Sequence, residues 1–116
     1  MTLYGIPNCN TVKKAQDWLK ANQFEFEFHD FKKKGITAEK LKEWFGVFGW
    51  DRVINKNGLT FKKLSKDEQS AINTPENAID YLMRNTSAIK RPIIEQDGSP
   101  ITIGFDPELY QHKIKS

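Results

Sequence analysis

The sequence of 116 residues contains a single cysteine, Cys9. An intramolecular disulfide is therefore excluded, and a structural zinc site, which usually takes four Cys or His ligands, lacks its donors. The two histidines, His29 and His112, have no metal-ligand spacing, so we predict no metal site. A Cys-x-x-Cys pair would need a second cysteine where Val12 stands. Thiol chemistry in this chain must therefore use Cys9 as a monothiol.

Long apolar runs are also missing. No run approaches the about 20 residues that a membrane span needs. The start of the chain has neither the basic flank nor the apolar stretch of a signal peptide. We therefore expect a cytoplasmic protein that binds no membrane.

An excess of one charge is absent as well. The formal net charge is +3, residues 1–58 carry ten basic and seven acidic side chains, and residues 59–116 carry eight of each. The densest cluster, Lys32-Lys33-Lys34, is interpreted as a solvated turn before Gly35, with a small anion-attracting patch as the alternative. We predict no direct nucleic-acid binding.

The length and the aromatic content fit one globular domain over residues 1–116. Leu3-Tyr4 predicts a short strand, and Val12, Ala15, Trp18 and Leu19 recur at helical spacing, which predicts a helix that begins just after Cys9 and stops near Asn22. The alternation of Phe24, Phe26 and Phe28 with polar residues predicts a second strand. The first part of the chain is thus predicted to be a strand, a helix and a strand.

A helical block is predicted to follow. Thr37 is a plausible cap for a helix that ends at Gly49, and residues 50–61 show an irregular pattern. Ser65-Lys66-Asp67-Glu68 is typical of a capping box, and Thr74-Pro75 and Asp106-Pro107 are typical helix starts. Asp97-Gly98 between two apolar runs predicts a β-hairpin. The predicted fold is α/β and thioredoxin-like: a four-stranded mixed sheet flanked by helices, with a helical insertion between the second and third strands.

Cys9 is the first candidate functional residue. A cysteine between a strand and a helix lies where unpaired helix N–H groups and the positive dipole end favour a thiolate. The N–H groups after Cys9 could also hold a bound oxyanion. The alternative is a buried cysteine that acts as a small hydrophobe. We predict a substrate or anion site around the nucleophile Cys9 that includes its neighbours Asn8, Asn10, Thr11, Val12 and Lys13.

Arg91-Pro92 is the second candidate. In a thioredoxin-like fold the residue that opens the third strand faces the active cysteine, and a proline there is commonly cis. Arg91 would then bring a planar cation to the anion beside Cys9. The equally weighted alternative is an edge-strand proline beside a surface arginine.

Together, Tyr4-Gly5-Ile6-Pro7-Asn8-Cys9-Asn10-Thr11-Val12-Lys13-Lys14-Ala15 and Arg91-Pro92-Ile93-Ile94 resemble the arsenate reductase-like (ArsC) family. The resemblance covers nearly the whole chain. This family includes glutaredoxin-coupled arsenate reductases, Spx/MgsR-type regulators and small YffB-like proteins.

The resemblance to the reductases implies that Cys9 attacks an oxyanion such as arsenate, with Arg91 as an oxyanion contact. The adduct is then resolved by glutathione or a similar thiol as co-substrate, and glutaredoxin is the implied partner. Two further arginines of those reductases fall near Lys56 and Gly104 in this sequence. Lys56 can supply a point charge but not the bidentate geometry of arginine, so it is a poorer oxyanion clamp.

The resemblance to the Spx/MgsR-type regulators implies a different partner, the RNA polymerase α subunit. Those regulators typically carry a Cys-x-x-Cys switch, which Val12 removes here. The YffB-like group, with a single cysteine and a suggested role in glutathione-dependent thiol reduction, fits best. The expected function is a thiol-dependent oxidoreductase that acts on arsenate or a small thiol or disulfide. The alternative is a polymerase-binding regulator without its own redox switch.

Overall fold

The computed structural model describes residues 1–115, and its elements follow the predicted order. The strands are β1 (Thr2–Gly5), β2 (Glu27–Asp30), β3 (Ile93–Gln96) and β4 (Ser99–Ile103). The helices are α1 (Asn10–Ala21), α2 (Phe31–Lys34), α3 (Ala38–Phe48), α4 (Trp50–Val53), α5 (Leu59–Lys62), α6 (Lys66–Ala71), α7 (Pro75–Arg84) and α8 (Pro107–Lys113), and a 3-10 turn covers Thr86–Ala88. None of the helices in the described part is long and apolar enough to cross a membrane.

The four strands form one mixed sheet in the order β2-β1-β3-β4. β1 is parallel to β2 and antiparallel to β3, and β3 pairs antiparallel with β4 across the two-residue turn Asp97-Gly98. Both turn residues have positive φ, 54° and 78°, as the predicted tight hairpin requires. The predicted α/β class, the mixed four-stranded sheet and the helices between the second and third strands are confirmed.

By contacts, the chain divides into two compact units. The first comprises Met1–Lys34 and the described residues from Arg91 onward, and the second comprises Gly35–Lys90. In the first unit, Leu3 and Ile94 are register partners on one face of the sheet. Helices α1 and α8 cover this face, where the buried cluster consists of Leu3, Val12, Ala15, Leu19, Ile94, Tyr110 and Ile114. The predicted apolar face of α1 is therefore its buried face.

Strand β2 is shorter than predicted. The alternation from Phe24 onward predicted a strand, but pairing with β1 starts at Glu27. After α1 ends, Gln23 takes up a left-handed conformation (φ 64°), and the N–H of Phe24 bonds back to the carbonyl of Leu19 at 2.9 Å. Phe24 therefore still belongs to the turn that ends α1, and not to a strand. The alternation reports burial, because Phe24, Phe26 and Phe28 all pack against the core.

In the second unit, the predicted helix caps are present. Thr37 Oγ1 accepts from the N–H of Lys40 at 3.2 Å, and α3 ends at Gly49 with φ 89°. Ser65 and Glu68 form the complete capping box of α6. The stretch predicted as irregular, residues 50–61, contains the short helix α4 and all but the last residue of α5. Each spans four residues, too few for a periodic sequence pattern to reveal.

The lysine cluster also differs from its prediction. Lys32-Lys33-Lys34 was expected in a turn, but it forms the last three residues of α2. The side chain of Asp30 accepts from the N–H of Lys32 at 2.8 Å, which favours the helical turn at this point. All three lysines are exposed, as predicted.

Candidate active site

Cys9 lies in the loop between β1, which ends at Gly5, and α1, which begins at Asn10. Its backbone is extended (φ −111°, ψ 120°), which makes Cys9 the N-cap residue of the helix. The preceding Asn8 is left-handed, with φ 62°, a conformation that asparagine tolerates better than most residues. The prediction that α1 begins just after Cys9 is confirmed.

Gly5 permits the close approach of β1 to the start of α1. A Cβ atom at this position would lie 2.8 Å from Cγ2 of Val12, closer than real Cβ contacts allow. Val12 is buried in the core, and its backbone N–H belongs to the first turn of the helix below Cys9. The absence of a side chain at Gly5 therefore allows the helix start to lie this close to the sheet.

The surroundings of the Cys9 thiol favour its ionised form. Partial burial raises the pKa, but the backbone N–H of Val12, the guanidinium of Arg91 and the N–H of Thr11 together outweigh burial and hold the pKa of Cys9 below its ordinary value. The side chain of Cys9 does not accept a capping hydrogen bond from the first turn of α1. These donors therefore act mainly on the thiolate, the reactive form of cysteine.

Strand β3 delivers Arg91 to Cys9. Because β3 is antiparallel to β1, with Tyr4 opposite Ile93, the start of β3 lies beside the end of β1 from which the Cys9 loop departs. The Arg91-Pro92 peptide bond is cis, and the carbonyl of Pro92 accepts from the N–H of Gly104 at 2.8 Å. From this position the Arg91 guanidinium acts on the Cys9 sulfur, both as a hydrogen-bond donor and through its charge, and so lowers the pKa of Cys9.

A cleft of about 590 Å³ opens beside Cys9. Among the predicted neighbours of Cys9, Asn8, Asn10, Val12 and Lys13 line it. Thr11 is not among the lining residues, but its backbone N–H helps to lower the pKa of Cys9. The structure thus brings these residues together, while their role in binding an anion stays a prediction.

Three polar residues that line the cleft were missed from the sequence: Gln16, Asp17 and Lys20. They follow Lys13 by three, four and seven positions, which places them on the same side of a helix. This spacing could have identified them, but only with the knowledge that this side of α1 borders an open cleft.

Lys56, predicted to substitute for an arginine, belongs to the second unit. Its Nζ forms an ion pair with the carboxylate of Asp51 and lies 5.8 Å from the ring centroid of Trp50. At the other predicted arginine position, Gly104 has φ 79°, a conformation that favours glycine. A role for Lys56 in anion binding stays a prediction.

Among residues 1–115, no group of three or more His, Cys, Asp or Glu side chains is placed so that it could hold a metal ion.

Comparison with known proteins places this arrangement in a family. The sequence matches the ArsC family over residues 4–112. The chain belongs to the ArsC family. It is 39% identical over 111 residues to an uncharacterized protein of Haemophilus influenzae, with 96% of each chain covered. It is 29% identical over 110 residues to the regulatory protein MgsR of Bacillus subtilis, with 92% of this chain and 84% of MgsR covered.

Solved structures of ArsC-like proteins share the fold. A structure named YFFB protein matches with a TM-score of 0.90 and 38% identity over 98% of both chains. An arsenate reductase (ArsC) related protein from Brucella melitensis matches with a TM-score of 0.76 and 37% identity, over 99% of this chain and 94% of that one. The thioredoxin-like architecture predicted from the sequence is confirmed, and the relatives include both arsenate reductase-like proteins and regulators.

Proposed function

We propose that this chain is a thiol-dependent oxidoreductase in which Cys9 acts as a monothiol nucleophile. The observation that carries the proposal is the lowered pKa of Cys9 at the edge of an open cleft, with Arg91 and the first N–H groups of α1 as the cause. A larger thiolate fraction near neutral pH supports nucleophilic attack. Cys9 is partly exposed, so a substrate can reach it.

The proposed substrate is a small disulfide. The Cys9 thiolate attacks one sulfur, a new S–S bond forms to Cys9, and the other sulfur leaves as a thiolate that takes a proton from water. A second thiol, glutathione or another low-molecular-weight thiol, then loses its proton to water and attacks the substrate sulfur of the mixed disulfide. A new S–S bond joins these two sulfurs, the bond to Cys9 breaks, and Cys9 leaves as a thiolate. The second thiol must be external, because the chain contains no other cysteine.

Arsenate is the second substrate to consider, since the chain belongs to the ArsC family. Arg91 can stabilise a bound oxyanion beside the sulfur. Lys56, in contrast, is already paired with Asp51 and cannot offer bidentate hydrogen bonds. We therefore expect disulfide exchange to be faster than arsenate reduction coupled to glutathione and glutaredoxin.

The rate of alkylation of Cys9 by iodoacetamide against pH tests the proposal. We expect a midpoint below the about 8.5 of a free thiol, and a higher midpoint in Arg91→Ala. Lys13→Ala tests whether the lysine of the next turn adds to the effect. Lys14→Ala, an exposed residue of α1 that does not line the cleft, is the control. A midpoint near that of a free thiol, unchanged in Arg91→Ala, would contradict the proposal.

A second candidate function is that of a transcriptional regulator. The observation that favours it is the similarity to the regulatory protein MgsR along 92% of this chain. The resemblance to this group implies the RNA polymerase α subunit as the partner. A pull-down with the polymerase α C-terminal domain, using wild type and Cys9→Ser, distinguishes the two functions. Binding that persists in Cys9→Ser would support a regulator that needs no thiol, and the absence of binding in both would exclude it.

A further inference from the structure

We infer that the groove between α6 and α7 is a binding site for a free amino acid with a large apolar side chain, whose carboxylate binds Arg84 and whose ammonium group binds Asp80. The groove has a volume of about 430 Å³, within the range of small-molecule pockets, about 300–1,000 Å³. Its lining residues belong to the second unit, Gly35–Lys90, whereas Cys9 belongs to the first. The inference therefore goes beyond the proposed function, which uses other residues.

Two helices supply the walls of the groove. Four residues of α7 at positions i, i+3, i+4 and i+7 share one side of that helix and line the groove: Asn77, Asp80, Tyr81 and Arg84. Glu68 of α6 lines it as well. The side-chain amide of Asn77 donates to the carbonyl of Ala71, the last residue of α6, at 3.0 Å. This bond holds the two helices together at one end of the groove.

The two charged side chains that α7 brings to the groove do not pair with each other. Asp80 and Arg84 are four residues apart, a spacing at which Asp and Arg can form an ion pair on a helix. Instead, the Nε–H of Arg84 donates to the backbone carbonyl of Asp80 at 3.3 Å. Within residues 1–115, the Asp80 carboxylate has no hydrogen bond or ion pair, and the Arg84 guanidinium has no carboxylate partner. An unpaired anion and an unpaired cation therefore lie next to each other at the groove.

Tyr81 adds a buried hydroxyl group to these charges. The residue is 8% exposed, and its hydroxyl makes no hydrogen bond in the part of the chain that the structure describes. Buried polar atoms in native proteins nearly always have a partner. Burial and the carboxylate of Glu68 raise the pKa of Tyr81, so the hydroxyl keeps its proton at neutral pH and is available as a donor. A ligand that brings an acceptor into the groove would satisfy it.

Together these groups specify the charges of the ligand. A carboxylate in the groove can accept from the Arg84 guanidinium and from the Tyr81 hydroxyl. An ammonium group can donate to Asp80 and to the oxygen of Glu68 that the capping box does not use. Because the anion and the cation of the protein are neighbours on one helix, the two charges of the ligand must also lie close together. The α carbon of an amino acid carries its two charged groups in this way.

The apolar residues of the groove define the rest of the ligand. Leu64, Ala71 and Ile72 line it beside the ring of Tyr81, and Leu64 and Ile72 are half-buried. A small amino acid such as glycine would leave this apolar surface and most of the volume in contact with water. A large apolar side chain, such as that of phenylalanine, would remove the surface from water.

Titration of the isotope-labelled chain with three related ligands, followed by two-dimensional NMR, tests the proposal. Phenylalanine carries both charges, phenylethylamine lacks the carboxylate, and phenylpropionate lacks the ammonium group. We expect phenylalanine to shift amide signals of α6 and α7 and to bind with a dissociation constant of about 1 mM, the scale for a small ligand in an open groove. Each of the other two ligands should bind about fivefold more weakly, which is the scale of an exposed ion pair.

Variants at two exposed residues separate the two charges. Arg84→Gln should weaken the binding of phenylalanine and phenylpropionate about fivefold, but not that of phenylethylamine. Asp80→Asn should weaken the binding of phenylalanine and phenylethylamine, but not that of phenylpropionate. Arg52→Gln and Asp67→Asn are the matched controls, because both residues are exposed and neither lines the groove. Both control variants should bind phenylalanine as wild type does.

Tyr81→Phe tests the hydroxyl contact. It should weaken the binding of phenylalanine and phenylpropionate about fivefold and leave that of phenylethylamine unchanged, because only a carboxylate accepts from the hydroxyl. The amide spectrum of the free variant shows whether its fold is preserved. Equal effects on all three ligands would overturn the hydroxyl contact.

Three results would overturn the site itself. They are the absence of shifts in α6 and α7 at about 10 mM phenylalanine, ten times the expected dissociation constant, equal affinities for the three ligands, and a loss of affinity in Arg52→Gln as large as in Arg84→Gln. None of these results bears on the proposed function, because the alkylation of Cys9 is measured without any of these ligands.

Discussion

Helices α1 and α7 begin in two different ways. At the start of α7, Thr74 Oγ1 accepts from the N–H of Asn77 at 3.1 Å, and Pro75 occupies the first helical position. At the start of α1, the N-cap is Cys9, which makes no such bond. The amides there act on the sulfur only when it is ionised, since a neutral thiol is a weak acceptor. The start of α7 thus stabilises the fold, and the start of α1 stabilises a charge.

The same backbone groups can therefore serve stability or reactivity, depending on one side chain. An oxygen at the N-cap pairs with a helix amide at every pH. A sulfur leaves the amides available until a thiolate forms beside Arg91. If this comparison holds, variants that exchange the two kinds of cap should change stability and reactivity in opposite directions.

The variant with the largest expected effect is Cys9→Ser. It should abolish alkylation and disulfide exchange, because the chain has no other cysteine. The serine hydroxyl should complete the cap of α1 and raise the free energy of unfolding by about 0.5–1 kcal/mol. Urea denaturation and an alkylation assay measure both quantities. A less stable variant would show that packing of the sulfur against the core matters more than the missing cap.

Gly5→Ala should have the second largest effect. The added Cβ would lie 2.8 Å from Cγ2 of Val12, so either the Val12 side chain or the start of α1 must shift. We expect the helix start to shift, because Val12 is buried in the core. We expect a loss of about 1–3 kcal/mol in unfolding free energy, typical of overpacking. The pKa of Cys9 should rise, because the N–H of Val12 is among the groups that lower it.

Gly46→Ala is the control for this variant. Gly46 lies in α3, with no atom within 4 Å of a Cβ at that position, so alanine should stabilise the protein by about 0.5–1 kcal/mol. If Gly5→Ala behaves like Gly46→Ala, Val12 moves aside easily, and the close approach does not fix the helix start.

The caps and the start of α1 could be predicted from the sequence because their signals are local. Ser65 and Glu68 are three residues apart, and a capping box depends only on that spacing. The position of Cys9 at the helix start depends on the apolar spacing of α1 in the same way. Short-range patterns of this kind need no knowledge of the tertiary structure.

Other features of the candidate site depend on strand pairing and on open space, so the sequence predicted them only in part. It left two alternatives for Arg91-Pro92, and the structure decides between them, because the peptide is cis and β3 lies between β1 and β4 instead of at an edge of the sheet. The places of Asp17 and Lys20 in the cleft depend on which side of α1 borders open space. The periodicity of the sequence showed which side of α1 is buried, but not which of its exposed sides borders a cleft.

Thr74→Ala should have a smaller effect that is limited to stability. Removal of the hydroxyl leaves the N–H of Asn77 without its capping partner and should cost about 1 kcal/mol. The alkylation rate of Cys9 should not change. Urea denaturation and the iodoacetamide assay check the two outcomes, and a slower Cys9 would contradict the separation between structural and reactive helix starts.

The smallest expected effect is the pH dependence of the α6 cap. The N–H and the hydroxyl of Ser65 hold the pKa of Glu68 below its ordinary value. A lowered pKa in the folded state means that the ionised carboxylate stabilises the fold above the unfolded pKa of about 4.3, and that this contribution is lost as the pH falls through the folded pKa. The pKa of Cys9 is also lowered in the folded state, so its thiolate also stabilises the fold, and this contribution is lost as the pH falls through the folded pKa. The loss occurs at higher pH than for Glu68, because the pKa of a free thiol is much higher than that of a carboxyl group.

Glu68→Gln isolates this contribution, because glutamine keeps the acceptor but does not titrate. In urea denaturation, the stability difference between wild type and Glu68→Gln should shrink as the pH is lowered from about 6 to about 3. Glu25→Gln, at an exposed position outside the helices and strands, is the control for the loss of one charge. A stability difference that is constant over this range, or equally pH-dependent in Glu25→Gln, would show that the cap of α6 does not depend on the ionised carboxylate. The comparison with the Cys9 thiolate at the start of α1 would then be limited to helices capped by a hydroxyl group, such as that of Thr74.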